Sequence, residues 1–180
     1  AGGVLACDSP RVLEQILSTY EQVGLRDVLA EYLGERPILS ANKCTLRRVP
    51  VTANTDWHQD GAFLGKGIRA MNVWVALTDC GEGTGAPGMD LVPRRFEAVA
   101  ETGTGGAIFD WAVGPDVVAE LSKDHPVVRP HFAAGDAFLF DDLFLHRTAI
   151  TDSMTVERFA IESWFFAATD YPEGQVPLVW

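Results

Sequence analysis

The 180-residue sequence is poor in cysteine, histidine and positive charge. Its three cysteines, Cys7, Cys44 and Cys80, include no C-x-x-C pair, which argues against a zinc knuckle or redox dithiol and predicts reduced thiols in a cytoplasmic protein. Lys and Arg number 14 against 25 Asp and Glu, a formal charge of −11. Proteins that grip phosphate backbones gather basic residues on one face, so no nucleic-acid partner is expected. No uncharged apolar run reaches the ~18 residues of a membrane span, and no basic-then-apolar leader opens the chain; a membrane partner is not expected either. Internal repeats and low-complexity tracts are absent. With 47% hydrophobic and 22% charged residues, the composition is that of an ordinary globular chain. Its length fits one domain spanning residues 1–180, with a helical preface over 1–37 and a core over 38–180.

Helical spacing dominates the preface. Ser9 is a candidate N-cap with Pro10 at the first helical position, and Val12, Leu13, Ile16, Leu17 and Tyr20 recur on one face. Gly24 interrupts, then Leu25, Val28, Leu29, Tyr32 and Leu33 repeat the pattern until Gly34 and Pro37 end it. Beyond Pro37 the pattern changes to short apolar or alternating runs. The expected strands are Ile38–Val49, Ala70–Leu77, Met89–Val92, Val127–His131, Ala137–Asp141, Leu143–His146 and Arg158–Ala167. Gly81–Gly88 and Gly103–Gly106 read as loops, and Pro115–Leu121 as a short helix. Many short strands behind a helical preface imply a mainly β jelly roll with the N-terminal helices packed on one face.

Four histidines occur: His58, His125, His131 and His146. If Trp57–Asp60 is extended, His58 and Asp60 point to one side and Gln59 to the other. One imidazole and one carboxylate on a single face make two thirds of the facial triad that suits non-haem Fe(II). His146 closes an apolar run from Gly135 and is expected inside the barrel, where it needs a partner. Thr148 shares its face, and Arg158, at the edge of the apolar strand Arg158–Ala167, calls for an anion. His125 sits in the polar turn Lys123-Asp124-His125-Pro126 and His131 follows Pro130; both are read as surface groups or neighbours of a site rather than ligands. Asp141 and Asp142 could face either the metal or solvent. Phe63, Arg69, Arg94, Arg95 and Trp111 fall in segments that could line a pocket.

Taken together, Trp57-His58-Gln59-Asp60-Gly61, Met71–Leu77, Gly135–Asp141, Leu145-His146-Arg147-Thr148 and Arg158 resemble the phytanoyl-CoA dioxygenase family of Fe(II)- and 2-oxoglutarate-dependent oxygenases, from about Ile38 to Phe166. The resemblance implies a double-stranded β-helix. It also implies iron ligation by His58, Asp60 and His146, which would be the catalytic centre. Arg158 and Thr148 would hold the distal carboxylate of 2-oxoglutarate, with Trp74, Gln59, Asn72 and Lys43 as further co-substrate contacts. The implied reaction uses O2 and hydroxylates an unactivated C–H bond of a small-molecule or acyl-type substrate, releasing succinate and CO2. Related halogenases lack the carboxylate that Asp60 supplies here. The sequence departs from the family twice: few residues precede His58, and the segment that carries a Gly-Ser-His run in many members reads Ala86–Phe96 without one. Two other readings are a non-catalytic jelly-roll binding module and a metal-dependent cupin-type enzyme that does not use 2-oxoglutarate. Neither substrate identity nor oligomeric state is encoded in any motif.

Overall fold

The structure is a computed structural model that describes residues 2–52 and 55–180. In chain order its elements are β1 (Gly2–Leu5), α1 (Pro10–Gln22), α2 (Leu25–Leu33), β2 (Pro37–Val49), α3 (Gly61–Leu64), β3 (Ala70–Ala76), β4 (Cys80–Gly81), β5 (Gly88–Arg95), α4 (Pro115–Leu121), β6 (His131–Phe132), β7 (Ala137–Phe140), β8 (Phe144–Ala149), β9 (Arg158–Ala167) and β10 (Pro177–Val179). No helix among the described residues is long and apolar enough to cross a membrane.

The two helices form where the apolar spacing predicts. Pro10 occupies the start of α1, and glycines in the left-handed region, Gly24 and Gly34, end the two segments at φ 73° and 72°. Ser9 makes no side-chain cap. Their buried face, including Leu13, Ile16, Tyr20, Leu29 and Leu33, packs on Leu39, Cys44, Met71, Val73 and Phe165 of the sheet beneath. One polar knot sits in this layer: the Tyr20 hydroxyl lies 3.1 Å from Ser163 Oγ, which lies 3.4 Å from Cys44 Sγ.

That sheet runs β1-β2-β9-β3-β7, antiparallel throughout, with β10 added on β2. Smaller antiparallel pairs, β5-β8 and β4-β6, form the opposing layer. The result is the jelly roll that the strand pattern predicts, with helices on one outer face. Period-2 alternation sorts β9: Ser163 and Phe165 turn toward the helices, whereas Arg158, Glu162 and Trp164 turn into the space between the layers.

Several elements differ from expectation. In place of a strand over Val127–His131, only His131–Phe132 pairs regularly, and Val128 makes an isolated bridge to Leu91. Pro126 and Pro130 flank that bridge and donate nothing to a ladder, which shortens it. The Gly81–Gly88 loop opens with β4, and its ends close tightly: a side chain on Gly88 would stand 2.5 Å from Gly81 Cα. β1 and β10 are edge additions that no alternating pattern announces.

Candidate metal centre and its cavity

His58, Asp60 and His146 come together although 86 residues or more separate the first two from the third in the chain. His58 and His146 are joined by a two-way backbone bridge: His58 N–H donates to His146 O at 2.9 Å and His146 N–H to His58 O at 3.0 Å. Asp60 stands two residues on, at the start of α3, where Gly61 N–H donates to Asp142 O at 2.8 Å. A side chain at Gly61 would meet Asp142 Oδ2 at 2.9 Å and the Asp142 carbonyl oxygen at 3.2 Å, so Asp142 would have to shift to admit one.

Each imidazole is oriented through Nδ1. His58 Nδ1 lies 2.8 Å from Asp56 O, and His146 Nδ1 lies 2.9 Å from Phe144 O. A carbonyl can only accept, so the proton resides on Nδ1 and the Nε2 lone pair is free, as a metal ligand requires. Both Nε2 atoms point at Asp60: His58 Nε2 is 3.7 Å from Oδ1 and His146 Nε2 is 4.0 Å from Oδ2. The three ligand atoms all lie within 4.8 Å of one another.

Burial pushes every member of this group toward its neutral form. Desolvation drives the Asp60 carboxyl well above its usual range, aided by the charge of Glu162. It also lowers His58, and lowers His146 to about 3, where neighbouring His58 adds to the effect. No hydrogen bond to the Asp60 carboxylate is seen among the described residues. Two neutral imidazoles and a buried carboxylate without a donor form a site whose charge balance a divalent cation would complete.

The cluster opens into a cavity of about 420 Å³ between the layers. Arg158 enters from β9, almost wholly buried, with Nη1 donating to Gly88 O at 2.7 Å and its guanidinium carbon 5.3 Å from the centre of the Trp74 ring. Among the described residues no carboxylate lies within ion-pair distance, and Nε has no partner. Burial lowers its pKa to about 10, so it stays a cation at neutral pH. Thr148 and Asn72 line the same space, and the buried Asn72 Oδ1 is also without a partner. These groups form a polar, net cationic recess that fits a small carboxylate.

Lys43 lines the cavity as well, with Nζ 5.2 Å from the centre of the Phe63 ring. Gln59 does not. Its side chain turns away from His58 and Asp60 and is fully buried, donating to Leu143 O at 2.6 Å and Ala98 O at 3.3 Å and accepting from Ala100 N–H at 2.7 Å. All of its hydrogen bonds serve the protein, which leaves nothing for a co-substrate. Of the five loop candidates, Phe63 and Trp111 line the cavity. Arg69 pairs with Glu35 and Asp170, Arg95 with Asp141, and Arg94 lies over Phe96. His131 is an exposed residue of β6 whose Nδ1 lies 3.0 Å from Glu82 O. Asp141 is engaged by Arg95 and Tyr32.

Arg47 and Glu162 are cavity residues absent from the sequence-derived set. They form an ion pair, and Glu162 also accepts from Trp164 Nε1 at 3.3 Å. The signal was alternation: Arg47 shares a strand face with Lys43, and Glu162 shares one with Arg158 and Trp164.

Solved structures with the same fold include iron-bound EctD from S. alaskensis, at TM-score 0.70 and 17% identity, covering 95% of this chain and 58% of that one. The epimerase SnoN, in complex with Fe3+, alpha ketoglutarate and nogalamycin RO, aligns at TM-score 0.65 and 19% identity over 96% of this chain and 66% of that chain. EvdO2 from Micromonospora carbonacea var. aurantiaca aligns at 0.62 and 15%, over 99% and 69%. The chain thus spans little more than half the length of EctD. No curated protein sequence matches it significantly. The family model described as phytanoyl-CoA dioxygenase (PhyH) matches residues 25–154, a range that begins at α2, includes His58, Asp60 and His146, and ends just before Arg158. With well over half of its length matched, the chain belongs to the phytanoyl-CoA dioxygenase family.

Proposed function

We propose that the chain binds Fe(II) through His58, Asp60 and His146, binds 2-oxoglutarate against Arg158 and Thr148, and hydroxylates a C–H bond of a small molecule. The observation that carries this reading is the juxtaposition of three metal-competent side-chain atoms within 4.8 Å and an unpaired, buried guanidinium lining one cavity. Family membership supports it, as do the iron in EctD and the iron and alpha ketoglutarate in SnoN. When bound, Fe(II) with 2-oxoglutarate as reductant activates O2, so that one oxygen atom enters the substrate and the other enters succinate, with CO2 released.

The residues of the chain provide the rest. The carbonyls of Asp56 and Phe144 hold both imidazoles in the ligating tautomer. Asp60 supplies the negative charge that retains a dication and keeps the third ligand position from a halide. Arg158, held by Gly88 O and backed by Trp74, fixes the far carboxylate of the co-substrate and so orients it. The packed wall of Trp74, Phe140 and Trp164 keeps bulk water from the reacting centre. A carboxylate-binding jelly-roll module or a cupin-type enzyme would leave Arg158 or the triad without this joint role.

The test is anaerobic titration of the metal-free protein with Fe(II), then 2-oxoglutarate, following the visible metal-to-ligand charge-transfer band. The expected result is a band that His146→Ala abolishes and that Arg158→Ala shifts to at least about thirtyfold higher 2-oxoglutarate concentration, since truncating one partner of a buried charge pair costs about 2–5 kcal/mol. A folded protein that gives no band overturns the reading.

A further inference from the structure

The outer part of the cavity carries information about the molecule that enters it. Trp111 lies at the rim with its ring edge-on to His58, centroids 5.6 Å apart at 90°. Phe109 stacks flat on Trp111 at 5.2 Å and 4°. Both rings are open to solvent, at 50% for Phe109 and 37% for Trp111. Phe63, 48% exposed, forms another part of the same cavity wall. Isolated exposed aromatics are ordinary, but here Trp111 and Phe63 line one cavity that leads to a metal-competent histidine, and Phe109 extends the Trp111 ring outward.

The aromatic pair is fixed in place. Ile108 N–H donates to Asp56 Oδ2 at 3.1 Å, Val113 N–H to Trp57 O at 2.8 Å, and Gly103 N–H to Ala112 O at 2.9 Å. The segment bearing Phe109 and Trp111 is therefore tied to the segment that carries His58, and a ring seated on Trp111 has a defined position relative to the metal ligands.

Charge narrows the choice. Arg47 is engaged by Glu162, and Arg158 lies buried against Gly88. That leaves the Lys43 ammonium beside Phe63, with no carboxylate in ion-pair distance among the described residues. One such cation tolerates a neutral or singly anionic ligand, disfavours a cation, and provides no cluster for a polyphosphate-bearing thioester.

We infer that the substrate is a neutral or singly anionic molecule with a flat ring system, seated against the Trp111–Phe109 pair. Its oxidation rests on the Fe(II) and 2-oxoglutarate reading above, whereas its binding does not. Offset aromatic contacts contribute about two- to tenfold in affinity beyond the area they bury, and truncating a ring loses the buried area as well.

The experiment is anaerobic calorimetric titration of the protein loaded with Fe(II) and 2-oxoglutarate, using naringenin as a neutral probe that carries flat aromatic rings, octanoate as a linear anion and L-arginine as a cation. Naringenin is expected to bind at least tenfold tighter than the other two. Trp111→Ala and Phe109→Ala should each weaken it about tenfold, and Trp111→Phe should retain most of the affinity. Both side chains are half in solvent, so the variants should fold, which circular dichroism checks. The inference is overturned if naringenin does not bind, if octanoate or L-arginine binds as tightly, or if neither alanine variant weakens naringenin. The charge-transfer band of the same parent sample separates the two readings. A band without ring selectivity refutes only this inference, and ring selectivity without a band refutes only the co-substrate reading.

Discussion

At the scale of single residues, the metal-free centre is a local liability. Asp60 is buried, its carboxylate accepts no hydrogen bond among the described residues, and it is driven well above its ordinary value of 3.8 by desolvation. A carboxyl that titrates higher in the folded than in the unfolded chain holds its proton more tightly when folded. Its effect is therefore most favourable below the unfolded value, and stability declines as pH rises from there through the folded value. Asp60→Asn should flatten that decline and raise the stability of the metal-free protein at pH 7 by about 1–3 kcal/mol in urea unfolding. The same variant should bind no Fe(II). A loss of stability comparable with that of an ordinary core substitution would show that the carboxylate is already compensated. The alternation of His58 and Asp60 about Gln59 was legible from three adjacent letters, because side chains alternate in any extended segment. The tautomers were not, since they depend on which carbonyls stand behind each ring.

At the scale of elements, Gln59 joins the ligand-bearing segment to two others distant in sequence. Its amide bridges Leu143, just before β8, and the stretch Ala98–Ala100 after β5. Gln59→Ala would leave a buried N–H and two carbonyls without partners. The expected cost is about 2–4 kcal/mol in urea unfolding, with weaker Fe(II) binding because His58 and Asp60 lose their brace. An unchanged unfolding midpoint would mean that water replaces the amide. No sequence signal assigns this role: the partners lie 39 and 84 residues away, and a polar residue between two proposed metal ligands reads equally well as a co-substrate contact. Helices α1 and α2 and strands β2, β3, β7 and β9 were readable because their periodicity and flanking glycines and prolines are local. The two-residue strands β4 and β6 were not, because pairing across a loop defines them.

At the scale of the whole molecule, the proposed iron site links metal binding to folding, because His58, Asp60 and His146 converge only in the folded chain. Fe(II) at a hundredfold excess over its dissociation constant adds about 2.7 kcal/mol, which for a chain of this size raises the melting midpoint by about 5–10 °C. Anaerobic thermal unfolding with and without chelator should show this difference, and His146→Ala should erase it. An equal shift in the variant would mean that iron stabilises the protein elsewhere. The sequence by itself determined the alternation of apolar and polar residues that makes a jelly roll with a helical face. It also determined the donor types at His58, Asp60, His146 and Arg158. Only the tertiary structure decided that Arg158 has no carboxylate partner among the described residues, that the Gln59 side chain is hydrogen-bonded within the protein and outside the cavity, and that Trp111 lines the cavity with Phe109 stacked on it. The physical reason is that residue chemistry and periodicity are properties of neighbouring letters, whereas pairing, burial and orientation arise when segments far apart in the chain compete for the same partners.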